Sequence, residues 1–74
     1  MLYINGADPL YLQLYNQIRI DIESGKLGKG QRLLSERRLA AEHGISRMTA
    51  RMALRYLADH GYVCIEPHKG ALVL

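Results

Sequence analysis

The sequence predicts a mainly α fold: three helices followed by a small β-hairpin. Three observations carry that expectation. Apolar residues recur at helical spacing in three stretches before residue 60. Gly44 separates the second stretch from the third, and Ser35 and Ser46 stand where each would cap a helix. After Gly61 the pattern changes to two short β-prone runs joined by Pro67-His68-Lys69-Gly70.

The first helix is expected over about residues 9–24. Asp8 reads as its N-cap, with Pro9 in the first turn, where a missing N–H costs nothing. Tyr11, Leu14, Tyr15, Ile18 and Ile22 form the buried stripe, and Gly25 supplies the stop. The glycine-rich connection Gly25 to Leu34 ends in a short extended segment at Arg32–Leu34. It lacks the Gly-Lys-Ser/Thr ending of a phosphate-binding loop and the strand before it, so it reads as a surface turn.

Ser35 caps a second helix at about 36–42, which packs through Leu39 and Ala40. Gly44 ends it in the left-handed conformation of a tight turn, and Ile45 plugs that turn into the core. Ser46 caps a third helix at about 47–59, whose inner stripe is Ala50, Ala53, Leu54 and Leu57. Tyr62–Glu66 and Ala71–Leu74 then pair as the hairpin. Cys64, in mid-strand, is expected to be a small core residue.

At 74 residues the chain is one small domain. Such a chain buries only about 60% of the surface its unfolded form exposes, so its stability margin is thin. No run of about 18 apolar residues is present to span a bilayer. The opening MLYINGADPLY lacks the basic and apolar regions of a signal peptide, and the single cysteine excludes an internal disulfide framework. These features are those of a protein of the reducing cytoplasm.

The net charge of +3 is modest, but its placement is informative. Residues 32–55 carry six arginines against two glutamates, a net +4, whereas residues 1–31 balance at zero and residues 56–74 at −1. The cations there are all arginine, the side chain suited to bidentate contact with phosphate and guanine.

Two helices joined by a glycine turn form a helix-turn-helix signature, an arrangement that places its second helix in the DNA major groove. With the inner stripe turned to the core, Arg47, Met48, Arg51 and Arg55 fall on the outer side of the third helix. An arginine there can bond guanine O6 and N7 together. Ser46 and Thr49, with the free amides of the helix start, suit a phosphate. No carboxylate lies within Ser46–Arg51, which fits a surface that must neither occupy its arginines nor repel DNA.

At the opening of the second helix, Arg38 sits at the third helical position, where a capping box would have Glu or Gln. A cation there opposes the helix dipole by about 0.3–1 kcal/mol, and a nearby phosphate reverses the sign. Arg37 and Arg38 are therefore candidate backbone clamps, with Ser35 beside them; solvent exposure alone is the competing account of Arg38. The tip His68, Lys69 and Gly70 offers a cation, a titratable ring and a flexible glycine to the backbone or minor groove. An ordinary β-turn also needs such residues.

No catalytic constellation is expected. His43, His60 and His68 have no spacing that suggests a metal site or a triad, and neither a cofactor nor a metal is called for. The chain is read as a non-enzyme. The rival binding mode is protein–protein contact through Tyr3, Tyr11, Tyr15, Tyr56 and Tyr62.

From PLYLQLYNQIRIDIESGKL through GQRLLSERRLAAEHGISRMTARMALRYLADHGYV to EPHKGALVL, the chain resembles the N-terminal DNA-binding domain of GntR-type bacterial transcription regulators. The motifs are Ser-Glu-Arg opening the second helix, Ser-Arg-x-Thr opening the third, Arg51 one turn later and a glycine-ended wing. The resemblance implies a winged helix-turn-helix over residues 9–74, with residues 1–8 as an N-terminal arm. It implies binding of double-stranded operator DNA, usually as a homodimer on a pseudo-palindrome, in a bacterial cytoplasm and with repression as the expected outcome.

By the same resemblance, Arg37, Arg47 and Arg51 match the family's main DNA-contacting arginines. Ser46 and Thr49 match its phosphate and groove contacts, and the Pro67–Gly70 tip matches its wing. Leu34 stands where the family usually has proline, Arg38 where it usually has glutamate, and Met48 where threonine is more typical. Effector binding is expected only through a C-terminal domain, which the chain does not include.

Overall fold

The computed structural model describes residues 2, 6–67 and 69–74. Helix α1 spans Leu10–Glu23, α2 Glu36–His43 and α3 Arg47–Asp59; strands β1, Val63–Glu66, and β2, Gly70–Val73, follow. The elements match the expected order, with bounds shifted by a residue or two.

The start of α1 differs from the expectation. Pro9, not Asp8, occupies the N-cap, and no side chain caps the helix. The Pro9 carbonyl accepts from the amides of Leu12 and Gln13, both at 3.1 Å. Asp8 contributes through its backbone instead, its carbonyl accepting from Gln13 Nε2 at 2.8 Å. Proline's fixed φ (−57° here) already sets the entry angle, so an aspartate side chain one residue earlier lies outside capping reach.

The other two caps form as the sequence implies. Ser35 Oγ accepts from the Arg38 amide at 3.2 Å, and Ser46 Oγ from the Thr49 amide at 3.0 Å. Gly44 takes φ 65°, ψ 37°, the left-handed geometry that favours glycine, and the next amide, that of Ile45, returns to the Ala40 carbonyl at 3.0 Å. This turn sets α2 across α3.

The core is a single cluster in which α1 contributes Leu14, Tyr15 and Ile18. Helix α2 adds Leu39 and Ala40, α3 adds Ala50, Ala53, Leu54 and Leu57, and the hairpin adds Val63, Ala71 and Val73. Helix α3 lies at the centre, packed on by α1, α2 and β1. Its two fully buried alanines let neighbours approach closely. Ile45 packs on the rim of this cluster.

The hairpin is antiparallel, with Val63 opposite Val73, Cys64 opposite Leu72 and Ile65 opposite Ala71. Residues 30–33 run along its far edge: the Gly30 amide donates to the Val73 carbonyl, the Val73 amide to Gln31, and the Leu33 amide to Ala71. The expected extended segment is thus tied to β2. Cys64 is exposed, which corrects its assignment to the core. Successive strand residues face opposite sides, and Val63 takes the inward phase, leaving Cys64 outward.

Candidate nucleic-acid interface

The outer side of α3 is built by the inward phase of its stripe. With Ala50, Ala53, Leu54 and Leu57 buried, Arg47, Met48, Arg51, Met52 and Arg55 are exposed. Met48, at 59% exposure, is a large apolar side chain left in solvent at the leading turn of the helix. A groove between this side of α3 and the hairpin is lined by Arg47, Arg51, Arg55, Asp59, Glu66 and Lys69. Its cations run along α3 from Arg47 to Arg55, with Lys69 from the hairpin; the Asp59 carboxylate lies at the helix end and Glu36 beside the leading arginines.

The two leading arginines do have a carboxylate beside them, which corrects the expectation drawn from the local sequence. Glu36, the first residue of α2, reaches both. Arg51 donates from Nε to Glu36 Oε2 at 3.1 Å and from Nη2 to Oε1 at 2.9 Å. Arg47 donates from Nη2 to the same Oε1 at 3.1 Å. The partner comes from 15 and 11 residues upstream, so no inspection of the Ser46–Arg51 stretch reveals it.

The Arg51 guanidinium holds the Glu36 carboxyl below the usual carboxylate range, outweighing the opposing effect of burial, and Arg47 adds a smaller pull in the same direction. Glu36 in turn raises the Arg51 pKa through the same hydrogen bond. The arginine side chains remain 63% and 50% exposed, so this pairing orders them on the surface without burying them.

Ser46 and Thr49 are partly committed to each other, with Ser46 Oγ 2.8 Å from Thr49 Oγ1 in addition to the cap. Ser35 is likewise a cap, and Arg37 and Arg38 project from the exposed side of α2 with no ion pair among the described residues. Lys69 and Gly70 stand at the hairpin tip, where the Lys69 amide donates to the Glu66 carbonyl at 3.1 Å and Gly70 takes φ 92°. The expectation for His68 lies outside the described residues.

Three charged residues in or beside this groove carry no role in the sequence reading. The sequence places Glu36 in the charge balance and in the Ser-Glu-Arg motif without pairing it to an arginine, and places Arg55 on the outer side of α3 without a role. Arg32, half-exposed at the edge of the hairpin, was also passed over. Charge clustering in residues 32–55 was the one signal that could have flagged the arginines.

The tyrosines form an internal cluster more than a surface. Tyr15 meets Tyr56 edge-to-face at 4.6 Å, Tyr11 meets Tyr56 at 6.0 Å, and Tyr62 meets Tyr15 at 6.2 Å. Tyr62 also donates to Glu23 Oε2 at 2.8 Å, and that bond raises its pKa. Tyr3 lies outside the described residues. Among the described residues no group of three or more His, Cys, Asp or Glu side chains is placed to hold a metal. No helix among them is long and apolar enough to cross a membrane.

Three helices, a tight glycine turn between the last two and a hairpin beside the exposed side of α3 define a winged helix-turn-helix domain. Residues 10–73 match the family described as "Bacterial regulatory proteins, gntR family", and the chain belongs to that family.

The repressor NagR of Bacillus subtilis is 38% identical over 65 residues, covering 88% of this chain and 27% of that protein. The mannosyl-D-glycerate system repressor MngR of Escherichia coli is 44% identical over 54 residues, covering 73% of this chain and 22% of that protein. The chain thus spans less than a third of the length of these regulators. Among solved structures, the GntR-family transcription factor YtrA of Sulfolobus acidocaldarius superposes with a TM-score of 0.92 at 30% identity, covering 99% of this chain and 77% of that one. The DNA-binding domain of AraR, solved in complex with operator ORX1, gives 0.90 at 26% identity, covering 100% and 95%.

Proposed function

We propose that the chain reads operator DNA for a transcription regulator, with α3 entering the major groove start first. Arg47 and Arg51 bond guanine edges, and Met48 offers an apolar surface to the base beside them. Ser35, Arg37, Arg38, Ser46 and Thr49 hold phosphates around that entry. His68, Lys69 and Gly70 form the tip of a wing that lies along the backbone or in the minor groove. Residues 9–74 make up the DNA-binding domain and residues 1–8 an arm preceding it.

The observation that carries this reading is the arginine pair at the start of α3, held by Glu36 yet open to solvent. The AraR domain, which has this fold, was solved on an operator. NagR and MngR bear the name repressor, which supports repression as the outcome here.

One small module makes few contacts, and pairing two copies on a pseudo-palindromic site multiplies a weak affinity, so the reading includes a homodimer on DNA. Effector control belongs to a further domain of the kind that the longer relatives have room for, in a cytoplasmic regulator. The alternative, a protein-interaction module built on tyrosines, has less support, because Tyr15 and Tyr56 are engaged in ring packing between α1 and α3.

Selection of bound duplexes from a random pool, followed by affinity measurement at rising salt, tests the proposal. A recurrent two-half site whose affinity falls steeply with salt is expected. Failure to enrich any sequence, or salt-independent binding, contradicts it.

A further inference from the structure

Arg32 lies outside the groove, and the reading above gives it no contact with bases or phosphates, yet its side chain ties the hairpin together. Its backbone sits beside β2, bridged to Leu72. From that edge its Nη1 donates to the Lys69 carbonyl and also pairs with Glu66 Oε1 at 3.3 Å. Glu66 and Lys69 are the two ends of the turn, already joined through the Lys69 amide and the Glu66 carbonyl.

The chemistry of the tip makes this tie consequential. Glu66 and Lys69 line the same groove, so without a further cation the turn presents a charge pair that sums to zero. A carboxylate facing phosphates is repelled, and a lysine neutralised by its neighbour attracts little. Arg32 changes both terms: it neutralises Glu66 and holds the Lys69 peptide against the edge of the sheet.

We infer that Arg32 is the positioning residue of the wing, fixing the Lys69 peptide and cancelling Glu66 so that the tip meets DNA as a net cation. This rests on the nucleic-acid reading above for its consequence, but not for the tie itself.

The test has one arm without DNA and one with it. In ¹⁵N relaxation of the free protein, Arg32→Ala lowers the order of the Lys69 and Gly70 amides while the α3 amides keep theirs. Unchanged order at the tip overturns the inference whether or not the parent binds DNA.

On a duplex selected by the parent from random sequence, Arg32→Ala weakens binding by roughly three- to tenfold. In a background carrying both Lys69→Ala and Glu66→Gln the same change costs less than about twofold, because the lysine it positions and the carboxylate it cancels are both gone. Losses that simply multiply mean that Arg32 touches DNA itself, and the positioning role falls. Glu66→Gln, which removes the carboxylate but keeps the Lys69 amide's bond to the residue-66 carbonyl, recovers part of the affinity lost in Arg32→Ala; no recovery contradicts the charge-cancelling half of the inference. Helical circular dichroism checks that each variant is folded. If Arg32→Ala does not fold, Arg32→Gln takes its place in both arms. A parent that enriches no duplex removes the functional reading and leaves the relaxation arm to judge the tie.

Discussion

Arg51 lies side-on against Glu36, its Nε 3.1 Å from one carboxylate oxygen and its Nη2 2.9 Å from the other. A side-on grip uses one long edge of the guanidinium and leaves the end formed by Nη1 and the second Nη2 hydrogen free. That end is the fork that matches guanine O6 and N7. Glu36 and guanine can therefore hold the same arginine together, with the carboxylate limiting the rotamers from which the base must select.

Removing that carboxylate has opposite effects on two quantities. Glu36→Ala leaves Arg47 and Arg51 unheld and raises the net positive charge, so binding to an unrelated duplex tightens. Discrimination between a selected and a scrambled duplex falls by about tenfold, within the range of one bidentate base contact. Fluorescence anisotropy on both duplexes checks this; parallel weakening on the two means that Glu36 has only a folding role.

The depressed pKa of Glu36 has a defined consequence for pH. A carboxyl whose folded pKa lies below its unfolded value contributes stability that is present above the unfolded pKa and is lost as pH falls through the folded one. NMR titration of the Glu36 carboxyl is expected to give a midpoint below 4.5. Arg51→Ala moves the midpoint up more than Arg47→Ala does, because the Arg51 hydrogen bond is the larger cause. Equal midpoints in all three proteins contradict the pairing.

The turn between α2 and α3 tolerates little change. Gly44 has open space where a Cβ would go, so Gly44→Ala meets no clash and its cost is backbone strain alone, about 1 kcal/mol. Ser46→Ala removes both the cap of α3 and the bond to Thr49, at about 1 kcal/mol or slightly more. Urea melts report both, with the native helical signal retained.

The centre of the domain is less forgiving. Leu14 and Leu57 are fully buried on helices that pack together. Replacing either with alanine costs about 2–5 kcal/mol, which approaches the whole stability of a domain this small. Thermal melts are expected to show Leu57→Ala largely unfolded near 37 °C, whereas Met52→Ala, exposed on α3, melts like the parent.

Short-range chemistry was the legible part. Ser35, Gly44 and Ser46 act within four residues of themselves, and the stripe of α3 follows from helical spacing alone, so each could be read in place. Long-range geometry was not. Glu36 meets Arg51 because a glycine turn folds α2 across α3, and no local pattern encodes that crossing angle. Cys64 was misplaced because a run of apolar residues does not reveal which alternate set faces the helices; Val63 fixed that phase by packing inward. Arg32 looked like part of a surface turn because its partners, Glu66 and Lys69, lie more than 30 residues further along the chain.

Cations outside the base-reading pair have a different signature. Arg37→Ala, Arg38→Ala and Lys69→Ala are expected to weaken binding to every duplex alike and to reduce the salt slope by about one ion each. Loss confined to the selected duplex would reassign the residue to base reading.

The most direct test of the central claim is the affinity of Arg51→Ala and Arg47→Ala for a duplex selected by the parent, alongside single-base variants of that duplex. Each substitution is expected to cost about 1–3 kcal/mol and to flatten the preference at one position per half-site while the fold is retained. Parental affinity and parental base preference in both variants would show that the start of α3 does not read DNA.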